Sequence, residues 1–201
     1  MGSNKRGFSV DGILNFGGLT RDMLEGVSPT FSVLPVPYDL TASYVSGTRN
    51  GPRAIIEASS HMELYDEELG REFWDAGIET LASMEPTALG PEEMVKRIRA
   101  ASDEILDAGR VPVMLGGEHS VTLGLVQALK KRHPDMSVLH LDAHADMRDS
   151  YQDTPYNHAC IARRISEICP IVQVGIRSLS IEEAAFLAAE KKAGKKAKTR
   201  I

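Results

Sequence analysis

Two short apolar runs decide the fold: VPVML at residues 111–115 and SVLHL at residues 137–141. The first run continues as GGEHS at residues 116–120, and the second continues as DAHAD at residues 142–146. Amphipathic stretches predict a helix over residues 91–108, before the first run, and a second helix over residues 120–132, between the two runs. Short apolar strands that alternate with helices are typical of parallel βαβ units.

The same alternation extends toward both ends of the chain. We expect further strands at 31–36, broken at Pro35, near 77–81 and at 171–175, and further helices from 51, over 157–168 and from 181 to about 190. The pattern therefore predicts an α/β fold with a mostly parallel sheet. We assign residues 1–30 to an N-terminal surface arm, 31–190 to the α/β domain, and 191–201 to a solvated basic tail.

The charge of the chain excludes several classes of function. The 201 residues carry a formal net charge of −5, yet the last eleven residues hold six bases and no acid, so residues 1–190 hold 17 basic and 28 acidic residues. An acidic globule argues against nucleic-acid binding and attracts small cations. Two cysteines and the lack of a long apolar run predict a cytoplasmic protein without a membrane segment.

The chemically active residues follow the strand tips. Because sites in open α/β sheets form at the carboxyl ends of the strands, we expect His119, Asp142, His144 and Asp146 to converge. Asp142, His144 and Asp146 are spaced two residues apart, so an extended segment points all three the same way. Imidazole and carboxylate donors together suit Mn²⁺, with Zn²⁺, Fe²⁺, Co²⁺ and Ni²⁺ as alternatives. We interpret His140, inside the strand, as a packed residue.

His158 is a second candidate of another kind. It follows the aspartate-rich loop and begins a predicted helix near the same edge of the sheet. Beside a metal-bound water, such an imidazole can act as a proton shuttle; without a metal it is an ordinary histidine at a helix start.

At these residues the sequence resembles the arginase/agmatinase (ureohydrolase) family. PYDLTASYVSGTRNGPRAI at 37–55, GGEHS, DAHAD, YNHACIARRI at 156–165 and VQVGIRS at 172–178 match its blocks in order, and the last two look more like agmatinases than arginases. The resemblance implies a three-layer αβα fold of the arginase/deacetylase type. It also implies a homo-oligomer and a binuclear Mn²⁺ site that hydrolyses a guanidinium group to urea and an amine.

The resemblance also implies roles for single residues. His119 and Asp146 would bind one ion, His144 would bind the other, and Asp142 would bridge them. Asp146 would orient the attacking hydroxide, and His158 would protonate the departing amine. The expected substrate is agmatine, a dication, because the loop 149–156 is acidic and shows no obvious donors for the α-carboxylate of arginine.

The chain also departs from the family pattern. The family's third metal motif, a strand followed by paired aspartates, and its later acidic residue for the guanidinium do not occur, since the last aspartate is Asp153. Four ligands hold two ions poorly, so we expect weak or no activity from this polypeptide. Three explanations for the missing motifs stay open. The chain is a fragment or frameshifted product, or it is an inactive homologue that pairs with an intact subunit, or its tail replaces the lost part. A deacetylase of similar fold is the runner-up, and it ranks low because such enzymes usually hold one Zn²⁺ and lack the GGEHS and DAHAD pair.

Overall fold

The protein is described by a computed structural model over residues 15–20, 22–193 and 199–200. Its contacts form two units. The first unit holds the described residues up to 39 together with residues 47–86 and 104–117; the second holds residues 40–46, 87–103 and those from 118 onward. Each unit has a sheet of its own with parallel strand pairs, and this parallel pairing is what the alternation of strands and helices predicts.

The first unit is built around a central strand. In chain order it contains β1 (Phe31–Val36), α1 (Gly51–Ser59), the two-residue strands β2 (Tyr65–Asp66) and β3 (Arg71–Glu72), β4 (Ile78–Thr80) and β5 (Val111–Gly116). Strand β1 lies between β4 and β5 and runs parallel to both. Because it has neighbours on both sides, its residues Val33, Leu34 and Val36 are buried. The β2–β3 hairpin is too short and exposed to show a strand pattern in the sequence.

Pro35 does not break β1, contrary to the sequence-based expectation. The strand continues to Val36, and Pro35 pairs with Leu115 of β5. On the opposite side, β4 pairs only as far as Val33, and the Pro35 carbonyl accepts a hydrogen bond from the amide of Met84. The proline nitrogen faces this side, where β4 has ended, so the missing N–H removes no ladder bond.

The described part of the predicted N-terminal arm packs on the first unit. Leu19 and Leu24 are buried, and the amide of Gly17 donates to the Ser59 hydroxyl at 2.9 Å. This contact ties the segment to the end of α1. The arm prediction for residues 1–14 lies outside the described residues.

A buried carboxylate holds the loop before α1. Asp39 accepts hydrogen bonds from the amide of Gly47 at 2.7 Å and from the Arg49 Nε at 2.5 Å. The Arg49 hydrogen bond is the main reason that the pKa of Asp39 lies below its usual value; burial opposes this shift, and the amides of Gly47 and Arg49 support it. The ionised form of Asp39 is therefore the one that the fold stabilises.

We expect Asp39→Asn to lower the free energy of unfolding near neutral pH by about 1–3 kcal/mol, the usual range for hydrogen bonds to a charged group. Because the folded-state pKa is lowered, the contribution is complete well above the unfolded value of 3.8 and is lost as the pH falls through the folded-state value. Urea unfolding of both proteins over a series of pH values checks this. A difference that grows toward acid pH would contradict it.

The second unit packs helices against a second parallel sheet. It contains most of α2 (Pro91–Asp107), and then α3 (Thr122–Arg132), β6 (Val138–Leu141), α4 (Ile161–Ile168), β7 (Ile171–Val174), α5 (Ile181–Ala193) and β8 (Thr199–Arg200). Its core joins side chains of α2, α3, α4 and β7, among them Val95, Leu123, Ile165 and Ile171. Gly124 allows the close packing of α3 on α2, since a β-carbon there would lie 2.6 Å from the Val95 carbonyl oxygen.

The basic tail differs in part from its prediction as a solvated segment. Helix α5 continues to Ala193, and Thr199–Arg200 pairs in parallel with β7, where Thr199 is buried. Two residues at the end of a lysine-rich run give no strand pattern, so the sequence alone does not reveal β8. The rest of the tail prediction, at 194–198 and 201, lies outside the described residues.

One face of the β6–β7 pair is apolar and exposed. Leu139 and Leu141 of β6 are 64% and 71% exposed, and their register partners Val172 and Val174 of β7 are 41% and 51% exposed. Parallel sheets in α/β proteins are normally covered on both faces. A covering layer for this face is therefore not supplied by the described residues. None of the described helices is both long and apolar enough to span a membrane.

Candidate metal centre

His119 lies at the start of a helical segment in the second unit. It begins a 3-10 turn, His119–Val121, that leads into α3. The preceding Glu118 caps this turn, because its carboxylate accepts hydrogen bonds from the Ser120 amide at 2.9 Å and from the Ser120 hydroxyl at 2.7 Å. The motif GGEHS therefore uses its glutamate to set the turn and presents its histidine as the free donor.

The two aspartates of DAHAD follow β6 on a bent segment. The Asp142 Oδ1 accepts from the amide of His144 at 2.8 Å, which turns the chain directly after the strand. Asp146 has a φ of 51°, in the left-handed region that residues other than glycine rarely adopt. Such conformations persist where surrounding contacts enforce them, and they are frequent at functional sites.

Hydrogen bonds on several sides enforce this bend. The Asp146 carbonyl accepts from the amide of Arg163 in the first turn of α4, and the Met147 amide donates to the Glu183 carboxylate at 2.8 Å. The Ala145 carbonyl accepts from the Gln173 amide group at 2.7 Å. The DAHAD segment is therefore positioned by α4, α5 and β7.

Four donors converge in the described part of the chain: His119, His140, Asp142 and Asp146, with one ligand atom from each within 4.8 Å of the others. The His119 Nδ1 lies 2.8 Å from the Asp146 Oδ2 and 3.4 Å from the Asp142 Oδ2. The His140 Nε2 also lies 3.4 Å from the Asp142 Oδ2. Asp142 is thus the centre of the group.

The charges in the cluster shift its proton affinities. Burial alone lowers the pKa of His119, but the hydrogen bond with Asp146 and the charges of Asp146, Asp142 and Glu118 outweigh it, so this pKa is raised. Burial, together with the charge of His119, lowers the pKa of His140. Burial opposes ionisation of Asp142, yet the His144 amide and the charges of His119 and His140 lower its pKa. An anionic centre beside imidazoles suits a cation.

The structure brings together three of the four predicted metal ligands: His119, Asp142 and Asp146. The His144 side chain is 66% exposed, and its Nδ1 lies 3.5 Å from the Asp142 Oδ1. The expectation that an extended segment points all three DAHAD side chains one way is wrong, because the chain bends after Asp142 and Asp146 adopts a left-handed conformation. The role of His144 as a ligand stays a prediction.

His158, the predicted proton shuttle, lies on a neighbouring turn. It begins the 3-10 turn His158–Cys160, which Asn157 caps by accepting from the Ala159 amide, and this turn contacts the one that starts at His119. The Thr41 hydroxyl fixes the ring, since it accepts from the His158 amide at 3.1 Å and lies 3.3 Å from the His158 Nδ1. The turn that begins at His158 therefore contacts the turn that begins at His119, and the role of His158 as a proton shuttle stays a prediction.

Sequence reasoning misses two members of the site, His140 and Gln173. The strand pattern indicates a packed residue at His140; it is buried, yet it faces Asp142. Gln173 is its register partner in β7 and is also buried. A signal is present for His140, because it lies two residues before Asp142 and therefore shares its strand parity. No signal marks Gln173, since its place depends on the register of two strands.

The donor set fits a divalent transition metal. The His119 imidazole and the carboxylates of Asp142 and Asp146 form a mixed nitrogen and oxygen set of the kind that such ions take in proteins. Both carboxylates are at most one-quarter exposed, and the His140 Nε2 beside Asp142 is a buried polar atom without a hydrogen-bond partner in the described part of the chain. A buried polar atom without a partner needs an explanation, and an ion held by the neighbouring carboxylate is one.

The acidic loop that predicts a dicationic substrate is partly neutralised. The Asp149 carboxylate is 80% exposed and pairs with the Arg164 guanidinium at 2.6 Å. Arg148 stacks on the ring of Tyr151, 4.9 Å from its centre. Asp153 is exposed, with a φ of 60°. The loop therefore offers less negative charge than its sequence suggests.

Parallel strands that alternate with helices, with histidines and aspartates after the strands, define an α/β protein with a candidate metal site. Comparison with known protein families identifies the family within this class, because the sequence profile of the Arginase family matches residues 29–197. The chain belongs to the arginase family. It is 38% identical over 159 residues to N(1)-aminopropylagmatine ureohydrolase of Synechocystis, a match that covers 76% of this chain and 52% of that protein. It is 44% identical over 148 residues to a protein of the same name from Thermus thermophilus, with coverages of 73% and 50%.

Solved structures confirm the predicted αβα fold class of the family. Agmatine ureohydrolase of Thermoplasma volcanium superposes with a TM-score of 0.75 and 29% identity, covering 96% of this chain and 62% of that one. The chain spans about half the length of the curated relatives it matches. The family match and the ureohydrolase relatives favour the arginase family over the deacetylase alternative.

Proposed function

We propose that the protein takes part in the metal-dependent hydrolysis of a guanidinium C–N bond, with Mn²⁺ as the ion. The observation that carries this proposal is the convergence of His119, Asp142 and Asp146 in a chain of the arginase family. An ion held by these donors supplies Lewis acidity and lowers the pKa of water. The reaction converts agmatine and water into putrescine and urea, a step that would supply polyamine synthesis in the cytoplasm.

Residues of the chain itself have separate roles in binding the substrate and in proton transfer. The carboxylates of Asp142 and Asp146 attract a cationic guanidinium group. When both ring nitrogens of His158 are protonated, the Thr41 hydroxyl can accept from the Nδ1–H, which holds the ring and leaves the Nε2–H free to donate. In this form His158 can protonate the amine as its bond to the guanidinium carbon breaks, while water supplies the new C–O bond and a proton that restores the doubly protonated imidazole.

The substrate follows from charge and from the names of the relatives. Agmatine carries two positive charges, and the protein outside its tail is acidic. The curated relatives at 38–44% identity are named for N(1)-aminopropylagmatine, which by its name is agmatine with an added aminopropyl group. Both compounds lack the α-carboxylate of arginine. We place agmatine first and its aminopropyl derivative second.

The test is urea release from the 201-residue chain loaded with Mn²⁺. Agmatine, N(1)-aminopropylagmatine, arginine and 4-guanidinobutyrate are compared at equal concentration, with His158→Asn as the matched variant that keeps the metal ligands. We expect slow release from the two amines, because part of the family's ligand set is absent, and still less from arginine, at a rate that His158→Asn lowers. Faster turnover of arginine contradicts the substrate assignment. Bound Mn²⁺ without urea from any substrate contradicts activity of the chain on its own.

A second candidate function, docking of another polypeptide, is favoured by the exposed apolar face of β6 and β7. The occupant that fits is the portion of an arginase-family subunit beyond the matched half, since the relatives are about twice as long as the match. That portion of the Thermus protein, expressed separately, should co-elute with this chain and should not co-elute with Leu141→Lys. Two results contradict this candidate function: co-elution that Leu141→Lys leaves unchanged, and the absence of co-elution with the unaltered chain.

A further inference from the structure

His140 and Gln173 form a buried pair behind the candidate metal centre. They are register partners on the parallel strands β6 and β7, so their side chains lie on the same face of the sheet. His140 is 7% exposed and Gln173 is 2% exposed. Neither is singled out as a site residue by the sequence, and both are too well buried to act on a substrate directly.

The contacts of Gln173 fix the orientation of its amide group. Its Nε2 lies 2.7 Å from the Ala145 carbonyl oxygen and 2.8 Å from the His140 Nδ1. A backbone carbonyl only accepts hydrogen bonds, so the amide nitrogen must face Ala145, and the oxygen cannot take its place. The second hydrogen of the same nitrogen then points at the His140 Nδ1, which must accept it.

An imidazole that accepts at Nδ1 carries the proton of its neutral form on Nε2. The His140 Nε2 lies 3.4 Å from the Asp142 Oδ2 and has no hydrogen-bond partner in the described residues. The Nε2 hydrogen of His140 therefore faces the Asp142 carboxylate, and the distance of 3.4 Å is slightly longer than an ordinary hydrogen bond. A metal ligand would instead need a bare lone pair at this atom.

We propose that Gln173 holds His140 as the Nε2–H tautomer, so that His140 orients the Asp142 carboxylate for the ion and is not itself a ligand. His140 and Gln173 are thus positioning residues, and this assignment rests on the proposed metal-dependent function. Partners that orient a ligating carboxylate in this way commonly change metal affinity by roughly 10- to 100-fold when they are replaced. The Ala145 carbonyl links the same amide to the backbone of the DAHAD segment.

The tautomer can be read directly by long-range ¹H–¹⁵N NMR on the metal-free chain, independently of any urea release. We expect a protonated Nε2 and an unprotonated Nδ1 for His140. Zn²⁺, a diamagnetic probe, should shift the His119 ring nitrogens to metal-bound values while the His140 Nε2 keeps its proton. A protonated Nδ1 in the metal-free chain, or loss of the Nε2 proton when Zn²⁺ binds, overturns the proposal.

Gln173→Glu provides the matching variant. A carboxylate only accepts, so it favours a proton on the His140 Nδ1. We expect the NMR signature to report a protonated Nδ1 and the Mn²⁺ affinity to fall about 10-fold. Gln127→Glu makes the same change of charge on α3 and should leave both unchanged. If Gln173→Glu keeps the Nε2–H tautomer of the unaltered chain, the assignment is contradicted. If the unaltered chain shows this tautomer but releases no urea, only the proposed function fails.

Discussion

Asp142→Asn is expected to weaken Mn²⁺ binding by more than about 100-fold, because even indirect partners of a metal ligand are worth roughly 10- to 100-fold. Its Oδ2 lies 3.4 Å from the His119 Nδ1 and 3.4 Å from the His140 Nε2, and its Oδ1 lies 3.5 Å from the His144 Nδ1. Asparagine keeps the Oδ1 that accepts from the His144 amide, so the turn after β6 is retained. The substitution therefore removes the charge and leaves the backbone bend.

The measurement is Mn²⁺ titration by calorimetry, together with thermal unfolding with and without the ion. A ligand that binds only the folded state raises its stability, so the Mn²⁺-dependent rise in Tm should disappear in Asp142→Asn. Asp149→Asn is the matched control, since Asp149 lies in the following loop, is 80% exposed and pairs with Arg164. Equal Mn²⁺ affinity for Asp142→Asn and the unaltered chain would show that the ion binds elsewhere.

The fold could be predicted from the sequence because its strands and helices differ in hydrophobic period. The helix over 91–108 and the strands at 111–115 and 171–175 appear within a residue or so of their predicted ends, at Pro91–Asp107, Val111–Gly116 and Ile171–Val174. The exceptions have physical reasons. Pro35 stays in β1 because its nitrogen faces no neighbouring strand, and β8 is only two residues long.

The candidate site could be predicted only in part. His119, Asp142 and Asp146 each follow an apolar strand, and because sites in α/β proteins form at such strand ends, the sequence alone indicates them as candidates. The place of Asp146 depends on its left-handed backbone, which contacts from α4, α5 and β7 enforce, and His144 follows the turn that Asp142 caps. The place of Gln173 depends on register between two strands. Such contacts join residues far apart in the chain, and periodicity in a single sequence does not contain them.

Gly117 is a position where a single added methyl group is expected to lower the stability of the fold strongly. The sequence suggests that the two glycines of GGEHS clear space for an ion. In the structure, a β-carbon on Gly117 would lie 2.1 Å from the Tyr38 carbonyl oxygen and 2.9 Å from the Tyr38 nitrogen. These are backbone atoms and cannot rotate away. The Val36 carbonyl also accepts from the amides of Tyr38 and Gly117, at 2.9 Å and 3.0 Å, so neither chain segment can separate without losing a hydrogen bond.

We therefore expect Gly117→Ala to lower the free energy of unfolding by about 3 kcal/mol or more, at the upper end of overpacking substitutions. Gly51→Ala is the matched control in the same unit, because its β-carbon would meet only the Gly116 carbonyl oxygen, at 3.3 Å. It lies at the first residue of α1, where alanine favours the helix by up to about 1 kcal/mol, so the two effects should nearly cancel. Urea unfolding of the three proteins measures both differences. A Gly117→Ala chain as stable as Gly51→Ala would mean that Tyr38 can move, and that the glycine serves the ion rather than the backbone.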